Sequence, residues 1–566
     1  MTKKTEISSI LKNSKNLVDI FNFYVEKKPH QKIFFKKKNN SWIPNNYLEI
    51  KKKIEKIKNH LLNNGIKKGD RVFLLSSNRI EWVEFDLAIM SVGAITVPSF
   101  VTNNQHDNAF IINDCKPKFI VIENENIYKK NKSYLKNWQK KIITIETSNI
   151  FENYNNILSK TTTKTKNIVI EKDQVSSIIY TSGTTGNPKG VVLTHESIMH
   201  NLYGALEIMD EFDLDNERFI SFLPLSHSYE RMAGLYFPIL ICAQIYFCSS
   251  MDKLLNEIKE IKPTILSAVP RLYENIFKKI KLQITKSNFI ISFFLKVIFD
   301  NLNSKKKHNP LENFLSEFFI KLILKKKINN LLGGKIKILI SGGAALNPEI
   351  GFFFNKLNLN LLQGYGQTEA SPLISCNRKN SNDPRSVGPP VRNVKVKISK
   401  EGEILVKGKN LMQGYWRKPV ISKKTIINGW LHTGDLGEID KKGRIIITGR
   451  KKDLIITSGG DNISGQRIEN ILMSFNEISQ VVVYGDNRPY LVALIKISDG
   501  NNEKDLKRVL EIVNKNLNSI ERIRKFLVLD QELSYENGLM TQTMKIKRKK
   551  VLDFYQEKIN KLYNSL

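Results

Sequence analysis

A loop of eleven residues, Tyr180-Thr-Ser-Gly-Thr-Thr-Gly-Asn-Pro-Lys-Gly190, constrains this chain more than any other feature. Apolar runs of strand composition flank it, Val-Ser-Ser-Ile-Ile-Tyr before and Val-Val-Leu-Thr-His after. Gly183, Gly186 and Gly190 let the backbone turn tightly. The hydroxyls of Thr181, Ser182, Thr184 and Thr185 join successive backbone N–H groups as donors, and Lys189 adds a positive charge. Such a nest suits a polyphosphate. A Walker loop it is not, because that pattern needs Gly before its lysine and Ser or Thr after. Here the neighbours are Pro188 and Gly190. A plain Gly/Thr-rich turn is the bland alternative.

The remaining composition excludes several classes. With 566 residues, 41% hydrophobic and 25% charged, the chain has a globular balance and room for a large core. No run of about 18 apolar residues predicts a spanning helix. The first residues lack the continuous apolar stretch of a signal peptide, so a cytoplasmic protein is expected. Cys115, Cys242, Cys248 and Cys376 are scattered, without metal spacing, and read as reduced thiols. The net charge is +34, yet only 17 of the 89 basic residues are Arg, the residue that reads bases bidentately. AT-rich codon drift explains the excess of Lys, Asn and Ile, and no specific nucleic acid is expected. A basic surface leaves attraction to acidic partners, or peripheral attachment to the inner face of a membrane, open.

The pattern along the chain is α/β. Amphipathic helical segments alternate with short apolar runs such as RVFLLSS, AITVPSF, KFIVIE and KKIITIE, as in a parallel sheet with helices on its faces. Further strands are expected at VSSIIY, AQIYFCS, TILSAVP and KIKILIS. A helical insertion lies at about 273–332, its apolar residues at helical spacing with lysines between. It reads as a hairpin packed on the body or as a basic amphipathic contact with lipid. From about Val394 the chain becomes strand-rich up to residue 449. The expected organisation is a large multi-lobed N-terminal α/β domain over 1–449, with parallel sheets and a β-rich lobe at 394–449. A small mobile α+β domain over 450–566 follows, with a hinge near 450–453 and a basic tail.

The phosphate loop resembles the signature of the AMP-forming adenylate synthetases, and later segments agree with that family in order. FLPLSHSYER (Phe222–Arg231) is similar to its second motif, which places His227 beside the carboxylate and the thiol path; a core or solvent-facing histidine is the alternative. In ISGGAALNPE the resemblance sets Gly342, Gly343 and Ala344 against adenosine and the start of the acyl pocket; close helix–strand packing is the alternative. QGYGQTE supplies Gln363, Gly364 and Tyr365, whose ring offers a face to adenine. In the same segment Thr368 offers a hydroxyl to the α-phosphate and Glu369 a hard oxygen for Mg²⁺, with Thr181 as a second ligand. WLHTGD and GRKKDL imply Asp435 on the ribose, Arg450 on ribose or phosphate, and Lys452 at the hinge, unless the latter belongs to a surface charge run. In LMTQTMKIKR the catalytic lysine is Lys545, with Lys547 the competitor. Gln542 stands where the long-chain subgroup commonly has Pro.

The activity this resemblance implies is in-line attack of a carboxylate on ATP, giving acyl-AMP and pyrophosphate, then attack by the thiol of coenzyme A. Rotation about Lys452 would withdraw Lys545 and present the Ser458-Gly459-Gly460 face to pantetheine. ISGGAALNPE, the helical insertion and TQTMKIKR together resemble the long-chain fatty acyl-CoA synthetase branch. An acyl carrier protein as acceptor is the nearest alternative. A basic membrane or nucleic-acid scaffold with a dead nucleotide fold is the alternative from another class.

Overall fold

The structure is a computed structural model that describes residues 3–162, 168–181, 187–285, 324–534, 536–540 and 546–564. Its backbone is an eight-stranded sheet whose middle strands are Val175–Thr181, Ile95–Ser99, Arg71–Leu75, Phe119–Ile122 and Ile142–Thr144 in spatial order, all parallel. Parallel strands covered on both faces read as unbroken apolar runs, and Val72, Phe73, Leu74 and Leu75 are fully buried. Lys189–Thr194 turns back antiparallel beside Val175–Thr181, and the short strand Gly414–Tyr415 closes that edge.

Every residue of the helix Ile80–Ser91 is buried, so it runs through the core rather than over it. It carries Asp86 inside, which accepts from Thr96 at 2.7 Å and Tyr236 at 2.8 Å and forms an ion pair with Arg231. The Arg231 guanidinium also lies over the Trp82 ring, 5.5 Å from its centroid. Arg231 ends the FLPLSHSYER segment, so this buried pair ties the His227 turn to the first sheet's helix layer.

A second sheet sets Ile265–Ala268, Ile338–Ser341 and Leu361–Gly366 in parallel, with Leu373–Cys376 antiparallel at the end. A third joins Arg218–Ser221, Gln244–Phe247, Lys32–Lys38 and Ser41–Asn46. The β-rich lobe consists of Lys395–Ile398, Glu403–Lys407, Trp430–Ile439, Ile426–Ile427 and Ile445–Arg450. At both described ends of the helical insertion, apolar residues pack on the body: Tyr273, Ile276 and Ile280 share a core with Leu324, Ile328 and Leu332. Residues 286–323, the bulk of that insertion, lie outside the described residues. The four cysteines are unpaired, Cys115 and Cys376 being buried. Among the described residues no helix is long and apolar enough to cross a membrane.

The last hundred residues hold cores of their own around the sheet Ile478–Tyr484, Leu491–Ile497 and Ile523–Val528. Helix Glu503–Lys515 buries Leu506, Val509, Leu510 and Val513, a stripe at helical spacing, and starts in a capping box of Asn502 and Asp505. Among the described residues the basic tail carries regular elements. Ile523–Val528 is a strand parallel to Leu491–Ile497, helices Arg548–Phe554 and Gln556–Asn564 bury Val551 and Ile559, and Tyr555 is buried at the junction between them, the three spaced by four.

Removing one partner of a buried ion pair leaves the other charge uncompensated and costs about 3–5 kcal/mol. Asp86→Ala is therefore expected to lower unfolding stability by about that amount in urea titration. A loss below about 1 kcal/mol, the value of an exposed pair, would contradict the structural weight given to Arg231.

Candidate active site

A cleft of about 2370 Å³ opens where the carboxyl ends of the two parallel sheets meet the β-rich lobe and the C-terminal unit. The phosphate-loop hairpin forms one wall. Thr181 pairs with Lys189 across its neck, so the loop between them is held at both ends by strand pairing. A side chain at Gly190 would force its neighbours to shift: a Cβ there would lie 2.7 Å from Ile178 Cγ2 and 3.2 Å from Trp416 Cβ. Ser182, Gly183, Thr184, Thr185 and Gly186 lie outside the described residues.

The His227 turn forms the floor. His227 caps the short helix Ser228–Glu230, its Nδ1 accepting from the Tyr229 N–H at 3.2 Å. That bond places the neutral ring's proton on Nε2. Tyr229 lies across two strand ends and donates to the carbonyls of Ala268 and Ile340, each at 3.3 Å. A Cβ on Gly342 would fall 2.9 Å from this ring, so close packing explains Gly342. Gly343 has φ +81°, a backbone that favours glycine, and Ala344 follows on the cleft wall. Burial pushes the Glu230 carboxyl up to about 8, so the acid of this turn holds its proton at neutral pH.

Strand Leu361–Gly366 delivers the next group. Gln363, Gly364 and Tyr365 all line the cleft. The glycine that geometry requires is Gly366, which the motif reading did not single out: a Cβ there would lie 2.0 Å from the Pro372 carbonyl oxygen. At Gly364 the nearest atom is Cys376 Sγ at 3.6 Å, an ordinary contact. The Tyr365 hydroxyl donates to Asp435 Oδ2 at 2.6 Å, and Arg450 Nε donates to Asp435 Oδ1 at 2.5 Å. Asp435 and Arg450 are also directly paired between strands Trp430–Ile439 and Ile445–Arg450. Burial first, and the carboxylate second, push the Tyr365 phenol well above its ordinary value, so it stays a donor. Each Asp435 oxygen keeps a second lone pair for a ligand hydroxyl.

Thr368 and Glu369 sit on the 3-10 turn that follows. Thr368 Oγ1 is 3.2 Å from Ser228 Oγ, which joins this turn to the His227 turn. Glu369 accepts from the Tyr415 hydroxyl at 2.9 Å, and its backbone carbonyl accepts from the Met412 N–H at 2.9 Å. Tyr415 was not among the sequence candidates. A single tyrosine in Gly-Tyr-Trp has neither the charge nor the spacing that marks chemistry. Met209, Phe219, Met232, Phe237, Leu373 and Val387 also line the cleft and pack in or against the main core, an apolar recess in the site.

The C-terminal unit closes the other side. Lys452 lies in the 3-10 turn Lys451–Asp453 on the cleft wall. Gly459 does not reach the cleft: its turn, between strands Leu454–Ile456 and Asn462–Ser464, is exposed to solvent. Lys545 lies outside the described residues; beside it, Met540 bridges Ile546 and the Lys547 N–H donates to the Leu539 carbonyl at 2.8 Å. Arg548, the first residue of helix Arg548–Phe554, anchors that helix to the small core, donating to the Val483 carbonyl at 2.6 Å and to Glu469 at 2.7 Å. Lys547 lines the cleft near Asp107 of the large unit; burial lowers its pKa and Asp107 opposes that. On the opposite flank Arg271 and Lys278, of helix Pro270–Thr285, donate to the carbonyls of Ser479 and Ile478 at 3.4 and 3.2 Å. Those carbonyls belong to the edge strand Ile478–Tyr484.

The AMP-binding enzyme family matches residues 22–416, and the AMP-binding enzyme C-terminal domain family matches residues 452–566. The chain belongs to the AMP-binding enzymes. The long-chain-fatty-acid–CoA ligase FadD15 of Mycobacterium tuberculosis is 29% identical over 545 residues, covering 89% of this chain and 90% of that protein. The chloroplastic long-chain-fatty-acid–[acyl-carrier-protein] ligase AEE15 of Arabidopsis thaliana is 28% identical, covering 88% and 80%. The adenylation domain of a carboxylate reductase from Mycobacterium chelonae superposes with a TM-score of 0.80 at 19% identity, covering 99% and 93%, and so shares the fold.

The two neighbouring glycines separate a packing requirement from a contact surface. Gly366→Ala is expected to cost about 2–3 kcal/mol, as overpacking does, whereas Gly364→Ala is expected to stay within about 1 kcal/mol. Thermal unfolding of both variants checks this, and the reverse order would contradict the assignment.

Proposed function

We propose that this AMP-binding enzyme activates a long-chain fatty acid with ATP and transfers the acyl group to coenzyme A. The observation that carries this reading is the convergence on one cleft of Thr181, Lys189, Thr368, Glu369, Tyr365, Asp435 and Arg450, with the apolar lining of Met209, Phe219, Met232 and Phe237 in the same cleft. The relatives' names support the acyl-CoA ligase class, and the recess supports an alkyl chain over a compact polar acid.

In the first half-reaction a fatty carboxylate oxygen attacks the α-phosphorus, the bond to the bridging oxygen breaks, and pyrophosphate leaves. Two anions must meet, so positioning and charge neutralisation dominate catalysis. Tyr365 and the Gly342–Ala344 turn bracket the adenine, Asp435 takes the ribose hydroxyls, and Arg450 holds ribose or phosphate. Thr368 donates to the α-phosphate, and the hydroxyl-rich loop with Lys189 holds the leaving phosphates. Glu369 and Thr181 are hard oxygen donors that fit Mg²⁺, which prefers one or two carboxylates plus substrate phosphates. Bound there, the ion neutralises phosphate charge. Lys545 neutralises the charge that develops during displacement.

In the second half-reaction the thiol of coenzyme A gives up its proton, its sulfur attacks the acyl carbonyl, and AMP leaves. His227 stands beside that path. The domains divide at 449/450, and rotation about the 450–453 segment, centred on Lys452, withdraws Lys545 and brings the Gly459 turn to pantetheine. An acyl carrier protein is the second reading, favoured by the similarity to a carrier-protein ligase and by a net charge of +34 that suits an acidic carrier. The same charge draws the enzyme to anionic bilayers, where long-chain acids reside.

Fatty-acid-dependent exchange of pyrophosphate into ATP, run over a panel of carboxylic acids, tests the reading. Long-chain acids are expected to support exchange and acetate and aryl acids not to; no exchange with any long-chain acid would overturn it. Lys545→Ala is expected to lower adenylate formation by about 10²–10³, the usual cost of one well-placed donor, while transfer from preformed acyl-AMP to coenzyme A survives. Equal loss of both half-reactions would reject that role for Lys545.

A further inference from the structure

We infer that Tyr415 is a positioning residue that holds the Glu369 carboxylate and the Lys189 ammonium in register on either side of the triphosphate path. The inference rests on the adenylation reading above and adds a residue to it. Tyr415 lines the cleft between the two charged groups. Its hydroxyl donates to Glu369 Oε1 at 2.9 Å, while Lys189 Nζ lies over its ring, 5.3 Å from the centroid. One side chain thus offers a hydrogen-bond donor to an anion and a π face to a cation.

The backbone around Tyr415 is built to keep it there. Strand Gly414–Tyr415 pairs with Val192 and Val191, directly after the phosphate loop. The Trp416 N–H donates to the Gly190 carbonyl at 2.7 Å and the Gln413 N–H to the Val192 carbonyl at 3.0 Å. The Met412 N–H donates to the carbonyl of Glu369 itself. The segment 412–416 is therefore tied at one end to the Glu369 turn and at the other to the end of the phosphate loop. Ser422 Oγ accepts from the Tyr415 N–H at 2.8 Å and donates in turn to the Lys418 carbonyl, which braces the strand from outside. At Gly414, φ is +147° and a Cβ would meet Ser422 Oγ at 2.9 Å, so that brace needs glycine.

The bridge does two separate things to the site. The hydroxyl fixes which Glu369 oxygen remains for a cation bound to the triphosphate. The ring holds the Lys189 ammonium off that carboxylate, so the two opposite charges stay apart and both remain available to phosphate oxygens.

The test is binding of α,β-methylene-ATP, read by isothermal titration calorimetry with and without Mg²⁺, on the full chain. Tyr415→Phe keeps the ring and loses the hydroxyl. It is expected to weaken binding about tenfold with Mg²⁺, the worth of one hydrogen bond to a charged group, and to leave metal-free binding and the thermal midpoint unchanged. Its KM for MgATP rises while its KM for fatty acid does not. Tyr415→Leu, which also removes the π face, weakens metal-free binding as well. In the Glu369→Gln background Tyr415→Phe has no further effect, because the anion it serves is gone. Wild-type affinity in Tyr415→Phe, an equal loss with and without Mg²⁺, or an undiminished effect in the Glu369→Gln background would each overturn the inference. Failure of pyrophosphate exchange in the unaltered enzyme would instead remove the adenylation reading.

Discussion

A carboxylate with 3% of its surface exposed must be paired, and Asp435 meets that demand by accepting from Tyr365 and Arg450. The two donors come from different parts of the fold. Tyr365 ends a strand of the second parallel sheet, and Arg450 ends the last strand of the β-rich lobe. One buried charge therefore fixes the second sheet and the lobe against one another. The Thr368–Ser228 contact and the Tyr415–Glu369 bond extend the same network to the His227 turn and the phosphate-loop hairpin.

What this arrangement solves is an electrostatic problem. A fatty carboxylate and a triphosphate repel one another, and bulk water would screen them only if it also competed for both. A cleft walled by backbone donors, one lysine of the loop and paired side chains replaces that water with fixed dipoles. Most of the +34 charge takes no part in this, since it is carried by surface lysines away from the cleft. The charges named at its centre are each held: Asp435 by Arg450, Glu369 by the Tyr415 hydroxyl, and Lys189 over the Tyr415 ring.

Much of this was legible in the sequence because its signals are local. The apolar runs at Arg71–Leu75, Ile95–Ser99 and Phe119–Ile122 lie in a doubly covered sheet, where burial on both faces leaves a continuous run. The motifs could be read in order because each packs its residues into a few positions. Tertiary roles were not legible. Gly364 and Gly366 look alike in Gln-Gly-Tyr-Gly, and only the carbonyl of Pro372 distinguishes them. Tyr415 is marked by what it bridges, not by its neighbours. The tail read as basic because lysines surround Val551, Tyr555 and Ile559, whose spacing by four is what seats the final helices. The Gly459 turn faces solvent, a tertiary placement that periodicity does not encode.

The most direct measurement is a crystal structure with a hydrolysis-resistant long-chain acyl-sulfamoyl adenosine. The account predicts adenosine against Tyr365 and Asp435, the sulfamate within hydrogen-bonding distance of Thr368, and the alkyl chain in the recess of Met209, Met232 and Phe237. Adenosine seated outside the cleft, or a chain left in solvent while the recess stays closed, would contradict it.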